Sequence, residues 1–269
     1  MSVAESFTGV RELIASAKDH LADLGKIIAE VVDEDCVSVV AEVDPDSLFT
    51  FYKLRAEPHF PPRAAVRAFN IAVELRAALD HAVYAAAVLI NPQGPSPTKT
   101  AFFVGKTQAA FEGGRDGKGG SHVPPEIKAV MTRLQPYRGG RGQVLADLNE
   151  FRNIKDHRRL IDVHPVFGAT KSSLVAIEDP DSVFAKSLPP HTGTAHNEIE
   201  IQWMSPGFKL HPEKAIIQST VEVVFREPAQ LEGVLARDFF AASIQAVEHA
   251  VGEIEAEATK AIAARRLQP

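Results

Sequence analysis

A single cysteine, Cys36, stands among 269 residues, so neither an intramolecular disulfide nor a cysteine-based zinc cluster can form. A reducing compartment, and with it a cytoplasmic location, is the expectation. No long apolar run is free of charge. The most apolar stretch, Ile71 to Ile90, contains Glu74, Arg76, Asp80 and His81, and burying such groups in a bilayer is costly. The first residues, Met1 to Ser6, include no basic region and no apolar core, so a signal peptide is not expected. No serine occupies a G-x-S-x-G frame, which removes the common hydrolase elbow. The Gly-Lys pair inside Glu112–Gly120 misses the spacing of a phosphate-binding loop. Basic residues are outnumbered, 29 against 35, for a net charge of −6, which argues against general coating of nucleic acid. What is present is ordinary: 45% hydrophobic and 24% charged residues, a composition that excludes disordered, collagen-like and coiled-coil chains.

Periodicity sorts the chain into elements. Leu13, Ala17, Leu21, Leu24, Ile28 and Val31 step by three or four and predict a helix over about 10–32. Two short strands joined by Asp44-Pro45-Asp46-Ser47 predict a hairpin over about 37–55. A helix over 63–90 is apolar nearly all round and so belongs at the centre. Residues 91–124, rich in Gly and Pro, read as a mobile loop. A short helix over 125–134 and another over 143–158 come next. Alternating segments near 160–167, 172–177, 198–204 and 215–225 predict an antiparallel meander, and a last helix runs over 229–266. The expected fold is α+β in a single domain, 1–269. Its core is a four-helix bundle, with the hairpin inserted and the sheet over 160–225 packed beside it.

One internal match stands out. Residues 74–81, Glu-Leu-Arg-Ala-Ala-Leu-Asp-His, and 150–157, Glu-Phe-Arg-Asn-Ile-Lys-Asp-His, share the pattern E-[apolar]-R-x-x-x-D-H. On a helix, Glu74 and His81 share a face, as do Glu150 and His157. Arg76 with Asp80, and Arg152 with Asp156, stand at the i,i+4 spacing of an ion pair. Asn70, Glu74, Ala77, His81 and Tyr84 then form one polar stripe on the apolar helix. Ionisable groups on such a face either pair in a buried seam that fixes helix register or mark a site. A third possibility is a metal held by Glu74, His81, Glu150 and His157 between adjacent helices, although bundle sites typically use a shorter Glu–His spacing.

Arg76-x4-His81 and Arg152-Asn153-x3-His157 each resemble the Rx4–6H motif of HEPN domains, helical proteins of RNA cleavage, defence and RNA processing. The resemblance implies metal-independent endoribonuclease chemistry, with no cofactor, at a cleft where two motifs meet, usually across a homodimer. It makes His81 or His157 the general base or acid at a ribose 2′-hydroxyl. Arg76 or Arg152 would stabilise charge on the phosphate. Asn153 would assist by hydrogen bonding, and Glu74, Asp80, Glu150 and Asp156 would support. The segments LRAALDH, PYRGG and NIKDHR also resemble a group of bacterial and phage-related proteins, which implies a bacterial or phage origin and no particular activity.

Charge is unevenly spread. Residues 133–159 hold Arg133, Arg138, Arg141, Arg152, Lys155, Arg158 and Arg159 against Asp147, Glu150 and Asp156. Residues 222–258 hold an excess of acids. Arg138, Arg141, Lys155, Arg158 and Arg159 are thus candidate RNA contacts despite the acidic total. A solvated helix end would account for the same run.

Overall fold

Alanine dominates the buried face of the central helix. Ala64, Ala68, Ala72, Ala78, Ala82, Ala86 and Ala87 lie there with Ile71, Leu75, Leu79, Val83 and Ile90. Small side chains let neighbouring backbones approach, and the larger ones between them fill the gaps. Each fully buried Ile or Leu contributes about 1.5–3 kcal/mol. A computed structural model of the chain describes residues 2–33, 37–56, 60–153, 163–179, 182–186, 191–192, 198–204, 209–225 and 230–266. Its class is α+β. The helices are α1 (Val3–Ser6), α2 (Thr8–Asp33), α3 (Pro62–Ile90), α4 (Gln108–Asp116), α5 (Pro125–Leu134), α6 (Gln143–Arg152) and α7 (Ala236–Arg266). The strands are β1 (Val37–Val43), β2 (Thr50–Ala56), β3 (Val163–Asp179), β4 (Ser182–Lys186), β5 (His191–Thr192), β6 (Glu198–Met204) and β7 (Lys209–Phe225).

The chain divides into two compact units: Met1–Gly25 with Arg63–Leu160 and Arg237–Pro269, and Lys26–Pro62 with Ile161–Ala236. The first is helical. Ser16 and His20 of α2 meet Glu74 of α3, and Asp23 meets Arg67, so these two helices run antiparallel. Arg11 and Lys18 of α2 pair with Glu255 and Glu248 of α7, again antiparallel. Arg133 of α5 pairs with Glu253 and Glu257, and Arg265 of α7 with Glu126. Arg265 also donates to the Ile90 carbonyl at the end of α3. The excess acid of the last helix therefore faces bases of α2 and α5. Such exposed pairs contribute about 0–1 kcal/mol each, and apolar burial holds the helices. Phe151 of α6 makes an edge contact with Phe240 of α7 at 5.5 Å, and Phe239 stands 5.3 Å from Phe240.

Several expectations change here. The segment 91–124 contains α4 and two short 3-10 turns, Pro97–Lys99 and Lys118–Gly120, rather than an open loop. Thr107 caps α4 by accepting from the Ala110 N–H at 3.2 Å, and Phe111 is buried. The glycines serve close approach: a Cβ on Gly120 would fall 2.0 Å from the Arg115 carbonyl oxygen and 3.0 Å from the Phe103 ring. The last helix begins at Ala236, not near 229. Gly233, with φ +76°, donates its N–H to the Phe225 carbonyl at 3.0 Å, a left-handed turn that no helix accommodates. Buried residues on α2 are Val10, Ile14, Ala17, Leu24, Ile27 and Val31, a stripe turned slightly from the one predicted. The α6 helix is described to Arg152, and the expected extension to 158 lies outside the described residues.

In the second unit β1 and β2 form the predicted antiparallel hairpin, from Val37 opposite Ala56 to Val43 opposite Thr50. Its turn is held by Asp44, whose Oδ1 accepts from the Asp46 N–H at 3.1 Å. The later strands do not form the single meander expected. The segments predicted at 160–167 and 172–177 belong to one strand, β3, paired antiparallel with β7. Gly168, read as a separator, sits at a register shift between Phe167 and Thr170, where a bulge keeps the strand continuous. The β6 strand joins the hairpin in the order β1-β2-β6, while β4 and β5 flank β3.

Candidate functional site

Helical spacing places Arg76 and Asp80 on one side of α3, and they do pair, at 3.0 Å. The pair is not a surface contact, because the Arg76 side chain is only 12% exposed. Its Nη2 also donates to the Phe102 carbonyl at 2.6 Å, and its guanidinium carbon lies 6.0 Å from the Phe102 ring centre. The Phe102 N–H in turn donates to Asp80 Oδ1 at 2.9 Å. Arginine, carboxylate and backbone amide thus close a ring that anchors the 101–104 segment to α3. Burial pushes the Arg76 guanidinium below its ordinary value, Asp80 opposes that shift, and the charge of Arg152 adds to it. Among the described residues Arg76 Nη1 is buried without a hydrogen-bond partner. Arginine does not lose its proton in proteins, so the buried guanidinium stays charged.

Arg152 is exposed at the end of α6, and among the described residues its side chain bonds only Asn153, at 3.0 Å to Oδ1. Asn153 caps α6 through its backbone N–H. Glu150 accepts from Arg138 at 2.9 Å, with Lys106 at 3.9 Å, and its expected face partner His157 lies outside the described residues. Arg138 is thereby engaged, whereas the exposed Arg141 side chain has no partner among the described residues. Beside them Asp147 is half-buried, and desolvation raises its carboxyl above the ordinary aspartate value, opposed by the Gln143 amide and Arg138. Lys155, Asp156, His157, Arg158 and Arg159 lie outside the described residues.

The polar stripe on α3 turns toward α2. Glu74 Oε1 accepts from the Ser16 hydroxyl at 2.9 Å and stands 3.4 Å from His20 Nε2. Arg67 Nη1 donates to His20 Nδ1 at 3.0 Å, which leaves the ring proton on Nε2, facing Glu74. Among the described residues Glu74 Oε2 is buried and unpartnered. Two turns on, His81 and Tyr84 are exposed and border a groove of about 480 Å³ with Ser6, Gly9, Val10, Asp80, Ala85, Pro97 and Thr100. Asp80 belongs both to this groove and to the Arg76 ring, and so links the groove to Arg76.

Glu74 and Glu150 are thus held by different partners, and among the described residues no group of three metal-ligating side chains converges. Sequence reasoning missed Ser16, His20 and the Phe102 carbonyl. The first two sit on the matching face of α2, where a helix-pairing argument would have found them. A backbone carbonyl leaves no mark in sequence. Among the described residues no helix is long and apolar enough to cross a membrane. Compared with protein families, curated proteins and solved structures, the chain matches none.

Proposed function

We propose that the helical unit binds RNA as a HEPN-like module and cleaves it without a metal. The observation that carries this reading is the exposed Arg152 at the end of α6, whose side chain bonds only Asn153 among the described residues. A guanidinium attracts a phosphate, and Arg152 has the exposure to touch one. Arg141 extends the basic surface. Because both motif copies come from one chain, the reading needs no second subunit. In the cleavage step His81 takes the 2′-hydroxyl proton while O2′ attacks phosphorus. The bond to the 5′-oxygen breaks, and an acid, His157 by the motif's symmetry, protonates that oxygen. Arg152 stabilises the charge on the phosphate, and Asn153 orients it. Arg76 acts through its fixed charge, bonded as it is to Phe102 and Asp80.

The test is incubation of wild type, His81→Ala and Arg152→Ala with RNA in EDTA, with binding followed by fluorescence anisotropy. Wild-type cleavage that both variants lose supports the proposal. Binding lost in Arg152→Ala with no cleavage by any form reduces it to RNA binding. No binding by the wild type sinks it.

A second reading, a non-catalytic interaction protein, is favoured by the Ser16–Glu74–His20–Arg67 chain of contacts. In that case the first motif copy is a polar seam that sets the register of α2 on α3.

A further inference from the structure

The groove beside His81 is mostly apolar, and its few hydroxyl and carboxylate groups are held as acceptors. The Thr100 hydroxyl donates to the Ser96 carbonyl at 2.9 Å, and the Ser6 hydroxyl to the Ser2 carbonyl at 3.1 Å. Their protons are committed, so both oxygens can only accept from a ligand. Asp80 Oδ1 is taken by Arg76 and the Phe102 N–H, while Oδ2 has no partner among the described residues. Asp80 and Ser6 therefore offer acceptors at this groove, with the exposed His81 ring beside them, while Thr100 is buried. The other walls, Gly9, Val10, Ala85 and Pro97 with the Tyr84 ring, are apolar or aromatic. The volume of about 480 Å³ falls in the range of small-molecule sites, roughly 300–1,000 Å³.

We infer that this groove is a base subsite that takes the Watson–Crick edge of guanine. The inference rests on the RNA reading proposed for the helical unit and names the base it selects. A flat apolar body bearing adjacent N–H donors is what the lining requires. Guanine offers N1–H and the 2-amino group side by side, toward Asp80 Oδ2 and the Ser6 hydroxyl. Its O6 lies next to them, toward the open side of the groove. Adenine and cytosine each set one amino group beside a ring acceptor, and uracil sets one N–H between two carbonyls. An ammonium ion suits the groove less well, because Arg76 already stands 3.0 Å from the Asp80 carboxylate and would repel it. Tyr84, 37% exposed, supplies the stacking face.

Calorimetric titration of the full chain with GMP, IMP, AMP, UMP and butylamine tests this. GMP should bind most tightly. IMP, which lacks the 2-amino donor, should bind about tenfold more weakly. Tyr84→Ala should weaken GMP about tenfold or more, and Tyr84→Phe should restore it. Position 84 is exposed, so folding is not at stake. In parallel, a ten-nucleotide oligouridylate and the same chain with one guanosine are titrated by anisotropy. Equal binding of the two, equal affinity for GMP, AMP and UMP, tighter butylamine binding or an unchanged Tyr84→Ala would overturn the inference while leaving RNA binding standing. If neither oligonucleotide binds, the RNA reading fails, and the GMP–IMP comparison still decides the subsite.

Discussion

The Glu74 carboxylate lies 3.4 Å from the His20 ring across the α2–α3 seam, although its own helix presents His81 on the same face. The seam absorbs the first residue of the repeated motif, and that assigns it a measurable role. Glu74→Ala strands the Ser16 hydroxyl and the His20 N–H and should cost about 1–3 kcal/mol. Glu74→Gln keeps an acceptor for Ser16 and should cost less. Urea denaturation of the two variants checks the order, and equal losses would remove the seam's polar character as its cause.

Arg76 and Arg152 should separate stability from binding. Arg76→Ala leaves Asp80, itself 36% exposed, without its cation and the Phe102 carbonyl without a donor, and should cost about 1–3 kcal/mol. Arg76→Lys should not rescue it, because one ammonium cannot reproduce the fork that meets both oxygens. Arg152→Ala, at an exposed position, should change stability by less than about 0.5 kcal/mol. It should also reduce the salt dependence of RNA binding by about one unit of slope. Thermal melts and a salt titration read the two effects.

Asp147 gives a pH dependence of known sign. Its folded-state carboxyl titrates above its unfolded value because burial disfavours the charge. Its contribution is therefore most favourable below the unfolded aspartate range and is lost as pH rises through the raised value. Asp147→Asn removes that loss. The variant should melt higher than wild type at pH 7, and the difference should shrink as pH falls below about 4. A gain that is constant with pH would assign the effect to packing.

Two glycines near Phe103 and Phe111 should respond in opposite directions to alanine. A Cβ on Gly105 would meet the Phe111 backbone nitrogen at 2.4 Å, whereas one on Gly113 within α4 meets nothing within 4 Å. Gly113→Ala should stabilise by about 0.5–1 kcal/mol through helix propensity. Gly105→Ala should destabilise, since Gly105 donates to the Pro136 carbonyl and Phe111 to the Thr107 carbonyl, each at 3.0 Å, and either backbone moves only by loosening its bond. Differential scanning calorimetry of the pair checks it.

Legibility tracked the range of the interaction. The hairpin over 37–55 was readable because strand alternation and the Asp44 turn are both local. The α3 boundaries were readable because an apolar run between Pro62 and Asn91 has one helical solution. Gly233 and Gly168 misled for one reason: a glycine marks a permissive backbone without saying whether it ends, bends or bulges an element. Gly114, Gly119 and Gly120 were read as freedom when they serve proximity to Phe103, a partner that only packing supplies.

Sequence alone determined the α+β class, the long helices and the Arg76–Asp80 pair, since period and i,i+4 spacing are properties of a single segment. It also singled out the stripe carrying Glu74, His81 and Tyr84. Tertiary structure decided what that stripe meets. Glu74 went to Ser16 and His20, Arg76 to the Phe102 carbonyl, and His81 to a groove bordered by Asp80 and Thr100. The physical reason is that an unpaired polar group on a buried face must take whatever partner the neighbouring element brings, and spacing along one helix holds no information about that neighbour.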